Sequence, residues 1–194
     1  GQNFDTHLAI SAISSGLVNL SKVASIVDPG TGDTRFRTVD ILADGTGSTV
    51  NLAALTSFSD IYAGSSTGDN RYSTVTAKNG GAIQAAALTT LTGVNVVLDG
   101  TGTLPTAQLT TLNSNSALTL SGSSASYNFG GLTTATTSII ALSGAAATMP
   151  NLAAIDGTSL LVSGGSTLAL PAVTTYTNTT TGNSLTRTLQ AFGV

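Results

Sequence analysis

The most specific candidates for chemistry in this sequence lie in two short phrases, Thr31-Gly32-Asp33-Thr34-Arg35-Phe36 and Thr67-Gly68-Asp69-Asn70-Arg71-Tyr72. They are two copies of one pattern, Thr-Gly-Asp-x-Arg-aromatic, with 36 residues from Thr31 to Thr67. Asp33 and Arg35, like Asp69 and Arg71, stand two apart, so in extended backbone each pair falls on one face and pairs within or between loops. Turn chemistry supplies a structural role. Gly32 and Gly68 permit a tight turn, Asp bonds amides two residues on, Arg bridges to the next layer, and Phe36 or Tyr72 anchors the returning strand. The functional role is a carbohydrate or protein contact. The candidate binding residues are therefore Asp33, Arg35, Phe36, Asp69, Arg71 and Tyr72.

The other ionisable groups do not converge. The chain has nine acidic residues, all Asp, with six Lys plus Arg, one His and no Cys. Asp-Gly-Thr-Gly occurs at Asp44–Gly47 and Asp99–Gly102, but each copy brings one carboxylate where calcium needs several oxygens. Both read as turns closed by their Asp side chain. Acid–base work on a polysaccharide would need carboxylate pairs or an Asp/Lys/Arg cluster, and between Gly102 and Ile155 there is no charged residue. His7 is close to the N-terminus and has no visible partner in the sequence. The expectation is a non-enzyme, with no catalytic residue, metal or cofactor.

Only 8% of residues are charged, the net charge is −3, and Thr and Ser are abundant. A neutral, hydroxyl-rich surface without a basic cluster argues against nucleic acid and anionic membrane, and no apolar run reaches membrane-spanning length. Thr89-Thr90, Thr110-Thr111, Thr133-Thr134 and Thr174-Thr175 would stack about 4.8 Å apart in parallel strands, a regular array that could order water or ice. The series breaks at Ala153-Ala154, and Thr is also an ordinary strand residue.

These residues are carried by a repeat. In Ser159–Tyr176, Leu160 and Val162 alternate with Leu161 and Ser163, Gly164-Gly165 turns the chain, Leu168 and Leu170 alternate again, and Pro171 turns it before Val173 and Tyr176. That is strand, turn, strand, turn, strand. The first apolar residue of each such phrase, Leu88, Leu109, Leu132, Leu152 and Val173, recurs at intervals of 21, 23, 20 and 21 residues. Corner glycines Gly100, Gly122, Gly144 and Gly164 keep step. A unit this short cannot bury an apolar face alone but can when stacked. The expectation is all-β: a right-handed parallel β-helix, or β-solenoid, with coils of about 21 residues, three short strands per coil and two corner insertions. A sandwich would not repeat one side chain at one phase in five successive units, and a leucine-rich repeat would carry Asn at the corners that here bear Thr, Ser and Gly.

One domain, 1–194, is expected. Residues 1–16 form an N-terminal strand, with Leu8, Ile10 and Ala12 alternating, or a cap helix over His7–Ser14. Residues 17–87 hold two long repeats, read from Leu20 and Leu52, with insertions that leave at one corner. Residues 88–176 hold four to five short coils, and 177–194 an incomplete repeat in which Thr181-Gly182-Asn183 and Arg187 echo the inserted motif.

The phrases LTTLTGVNVVLDGTG, NLAAIDGTSLLVSGGSTLALPAVTTY and RYSTVTAKNGG resemble repeat regions of very large bacterial secreted or cell-surface proteins, adhesin-like and built from parallel β-helix. The resemblance implies a structural or adhesive module at the cell surface or outside the cell. Its partners would be itself, stacked end to end into a longer solenoid or filament, or the rest of a longer chain, with glycans or another surface protein beside these. A carbohydrate-binding or water-ordering solenoid is the alternative, and a polysaccharide-active enzyme a more distant one.

Overall fold

A computed structural model describes residues 6–31, 37–61, 72–179 and 186–193. All regular structure among them is β, with no helix. Every strand pair is parallel. The strands fall on three faces that the chain visits in turn, a solenoid-like arrangement.

The first face is one eight-stranded sheet: β1 (Thr6–Ile13), β4 (Arg37–Asp44), β7 (Ser73–Lys78), β10 (Val94–Leu98), β12 (Ala117–Ser121), β15 (Ile139–Ser143), β17 (Ser159–Ser163) and β19 (Leu189–Ala191). The second carries β2 (Leu17–Asn19), β5 (Thr49–Asn51) and β8 (Ala82–Gln84), then β13 (Ser126–Asn128), β16 (Ala146–Thr148) and β18 (Thr167–Ala169). The third carries β3 (Ser25–Asp28), β6 (Ser57–Asp60), β9 (Thr90–Thr92), β11 (Thr111–Asn113) and β14 (Thr134–Ala135).

Alternation decides which residues face inward. Across the first face, pairing register aligns Ile10, Ile41, Val75, Val96, Leu118, Ile140, Leu160 and Leu189 in one column. Its middle members, Ile41 to Ile140, are 0–1% exposed. Ala12, Ala43 and Ala77 continue into Leu98, Leu120 and Leu142 in the next inward column. On the third face the column is Ile26, Phe58, Leu91, Leu112 and Ala135.

The second face is interrupted for a covalent reason. Thr103 N–H donates to Gly81 O and Ile83 N–H to Thr103 O. The next rung would need an N–H at residue 105, which is Pro105 and has none. The ladder resumes at β13, bridged by the Thr106 hydroxyl, which donates to Asn128 O at 2.6 Å.

The markers Leu88, Leu109, Leu132 and Leu152 are 0–1% exposed and share one turn, each N–H donating to the carbonyl three residues earlier. Val173 makes the same bond but is only partly buried. The two long repeats need a correction of phase. Val23 and Leu55, not Leu20 and Leu52, make that bond, so the earlier residues stand three places ahead of the later markers. Leu20 and Leu52 are apolar enough to imitate the marker because they fill the neighbouring inward position.

Candidate functional site

The corner between the third face and the first is where the long connections leave. β3 pairs with β6 and β4 with β7, so the chain between β3 and β4 and the chain between β6 and β7 depart and return at adjacent positions. The connection from Val173 to β19 spans the same corner, since β19 pairs with β17. Of the six candidate residues, Asp33, Arg35, Phe36, Asp69 and Arg71 lie outside the described residues, and Tyr72 is described.

Two carboxylates anchor the corner. Asp28 and Asp60 are register partners and are 4% and 3% exposed. Asp60 Oδ2 accepts from both the backbone N–H (3.0 Å) and the hydroxyl (2.9 Å) of Ser73. At the first long connection Val39 replaces Ser73 in register, so it brings no hydroxyl, and its N–H donates instead to Ser73 Oγ at 3.0 Å. Asp28 is answered by Arg37, whose Nε–H donates to Oδ1 while the other guanidinium nitrogens donate to Pro29 O and Thr31 O. Asp28 Oδ2 has no hydrogen-bond partner. A cavity of about 240 Å³ opens here, lined by His7, Leu8, Val27, Asp28, Arg37 and Thr38, with Pro29 and Val39.

A polar chain crosses the outer surface of β1, β4 and β7. The Thr38 hydroxyl donates to Asp40 Oδ2 at 2.8 Å, and Thr74 donates to Asp40 Oδ1 at 2.8 Å. With its one proton given to Asp40, Thr38 Oγ1 accepts from His7 at 2.7 Å, which fixes the proton on His7 Nδ1. Sequence alone gave His7 no partner; a contact across 31 residues supplies one.

Further along the same corner, Tyr72, Asn95, Asn115, Ala117, Thr137, Ile139 and Arg187 line a crevice of about 120 Å³. Two of these residues carry buried atoms without hydrogen-bond partners, Asn95 at Oδ1 and Arg187 at Nε and Nη2. Of these residues only Tyr72 was a candidate from sequence. Arg187 enters the sequence reading only as an echo of the inserted motif, although it is also the one charged residue after Asp156. Asn95 carried none, since it reads as an ordinary outward strand position.

The Asp-Gly-Thr-Gly turns divide. Asp99 closes its own turn, accepting from Thr101 N–H and Gly102 N–H at 2.8 Å, and also from Asn79 N–H in the circuit before. Burial pushes its carboxyl up, but the bonds from Asn79, Gly102 and Thr101 outweigh that and hold it well below the usual carboxylate range. Asp44 differs from expectation. It does not close its own turn but reaches the next circuit, accepting from Asn79 Nδ2 at 2.8 Å and pairing with Lys78 at 3.2 Å. The Asn79 bond, then Lys78, lower its carboxyl.

The first threonine of each pair from Thr89-Thr90 to Thr133-Thr134 is an internal staple. Hydroxyls of Thr56, Thr89, Thr110 and Thr133 each donate to the carbonyl of Ala24, Thr56, Thr89 and Thr110 respectively, at 3.0–3.3 Å. A second hydroxyl column is buried. Ser73, Ser116, Ser138 and Thr158 are 0% exposed; the oxygens of Ser73, Ser116 and Thr158 take the N–H groups of Val39, Val94 and Ser138, and the Ser138 hydroxyl donates to Thr136 O.

Compared with known proteins, the chain matches no family model, no curated protein and no solved structure.

Proposed function

We propose that the chain is a structural or adhesive module of an extracellular or cell-surface protein, a right-handed parallel β-helix that joins further parallel coils end to end. One observation carries this reading: among the described residues the inward columns are less buried at both rims than in the middle. Ile10, Val18 and Ile26 are only partly buried, whereas their register partners Ile41, Val50 and Phe58 are 0–1% exposed. At the other rim Leu160, Leu168, Leu170 and Val173 are partly buried, and the first three line an opening of about 350 Å³. Among the described residues the edges of β1 and β19 are unpaired in the sheet order, and unpaired parallel edges accept strands. The right hand follows from the general preference of parallel crossovers.

The carbohydrate-binding alternative draws support from the two corner cavities. The water-ordering alternative draws less, because the hydroxyls of Thr56, Thr89, Thr110 and Thr133 are committed to backbone carbonyls. Light scattering and negative-stain microscopy over a concentration series test the leading reading. Elongating particles are expected. Monomers at every concentration, unchanged when one rim is charged by Leu168→Lys, would overturn self-association.

A further inference from the structure

The crevice between Tyr72 and Arg187 has polar atoms that specify what it lacks. Nε–H and Nη2–H lie along one edge of a guanidinium and form the side-on fork that takes both oxygens of one carboxylate. In Arg187 both of these nitrogens are buried and neither has a partner. Donors of an ionised group left buried and unmatched cost more than neutral ones, so an anion of matching shape is the natural complement. Asn95 Oδ1, in the same crevice, is also buried and unmatched. An amide oxygen only accepts, so it calls for a donor beside the carboxylate.

The backbone points to the same place. Gly93, Asn115, Thr137 and Gly157 all take left-handed backbone at the corner, with φ of 67°, 66°, 48° and 66°. Glycine does this without cost, and β-branched Thr does not. The non-glycine residues, Asn115 and Thr137, are the two of the four that line the crevice. Strain kept where a side chain faces a cavity is characteristic of ligand sites.

We propose that this crevice binds a carboxylate carried next to a hydroxylated carbon, the group presented by uronic-acid units of acidic polysaccharides. The carboxylate oxygens take Nε–H and Nη2–H of Arg187, and the neighbouring hydroxyl donates to Asn95 Oδ1. The volume of about 120 Å³ accommodates the acid and its adjoining carbon, with the rest of the sugar outside. An aspartate or glutamate side chain of a protein partner would satisfy the fork but brings no hydroxyl for Asn95. The site does not depend on end-to-end stacking.

Ligand-observed NMR on the intact chain, with glucuronate, glucose, acetate and an aspartate-containing peptide as probes, tests it. Glucuronate is expected to bind, with glucose and acetate weaker by about tenfold or more. Arg187→Gln should lose about tenfold or more of that affinity, with Arg187→Lys falling between because it keeps the charge but not the fork. Thermal unfolding of Arg187→Gln should be no lower than that of the parent, since it removes unmatched buried donors, which separates lost binding from lost folding. Equal binding of glucose and glucuronate, glucuronate binding that survives Arg187→Gln, or no binding of glucuronate would overturn the proposal. Peptide binding with glucuronate silent would do so in favour of a protein partner.

Discussion

Asp28 and Asp60 sit directly opposite one another on adjacent parallel strands, both buried, and each is compensated differently. Asp28 pairs with Arg37, and Asp60 takes two hydrogen bonds from Ser73. Like charges placed opposite each other destabilise a sheet unless compensated. Removing either compensation should therefore show. Arg37→Met leaves Asp28 as a buried charge without its ion-pair partner and should cost about 3–5 kcal/mol. Ser73→Ala removes one donor to Asp60 and should cost less, about 1–3 kcal/mol. Urea unfolding measures both, and equal losses would contradict this division of roles.

Gly102 is required by close approach and not by its φ. A Cβ there would lie 2.2 Å from the backbone carbon of Ala77, and one on Gly81 would lie 2.3 Å from Ala43 O. Backbone cannot yield as a side-chain tip can. Gly102→Ala is expected to destabilise by about 1–3 kcal/mol or more, measured by chemical denaturation. Gly193→Ala, with nothing within 4 Å, is the neutral control.

The turn column predicts a gradient of cavity costs. Leu132 is 0% exposed, and Leu132→Ala should lose about 2–5 kcal/mol. Val173→Ala at the half-open rim should lose clearly less, because its site is already reached by solvent. Comparable losses would mean that the rim is covered in solution.

Asp99 makes a pH prediction. Its carboxyl is held low on folding, so its contribution is complete above the unfolded value of about 3.9 and fades as pH falls through the folded one. The stability difference between the parent and Asp99→Asn should be constant above about pH 5 and shrink below about pH 4. A difference that grew on acidification would have the wrong sign.

Much of the architecture was legible because the repeat is short and strands alternate. Leu88, Leu109, Leu132 and Leu152 needed only counting to be placed at one turn. The phase of the long repeats was less legible, since Leu20 and Leu52 are as apolar as the Val23 and Leu55 that hold the marker position. The candidate site was legible at Tyr72 and, as an echo of the inserted motif, at Arg187. Asn95 and Arg187 are 92 positions apart in sequence (187 less 95) and meet only because the corner is shared by several circuits.

The sequence by itself determined that the chain is β throughout its described length, that its unit is about one circuit long, and that two related segments interrupt it. Those properties are local: alternation, turn residues and spacing act within a few residues of one another. Tertiary structure alone decided which polar groups meet. His7 meets Thr38 across neighbouring circuits, and Asp60 meets Ser73 across the corner that closes one long connection. Their partners are fixed by strand register, and in a circuit of unequal lengths, 31 residues from Ile10 to Ile41 but 21 from Val75 to Val96, register is settled by packing and not by distance along the chain.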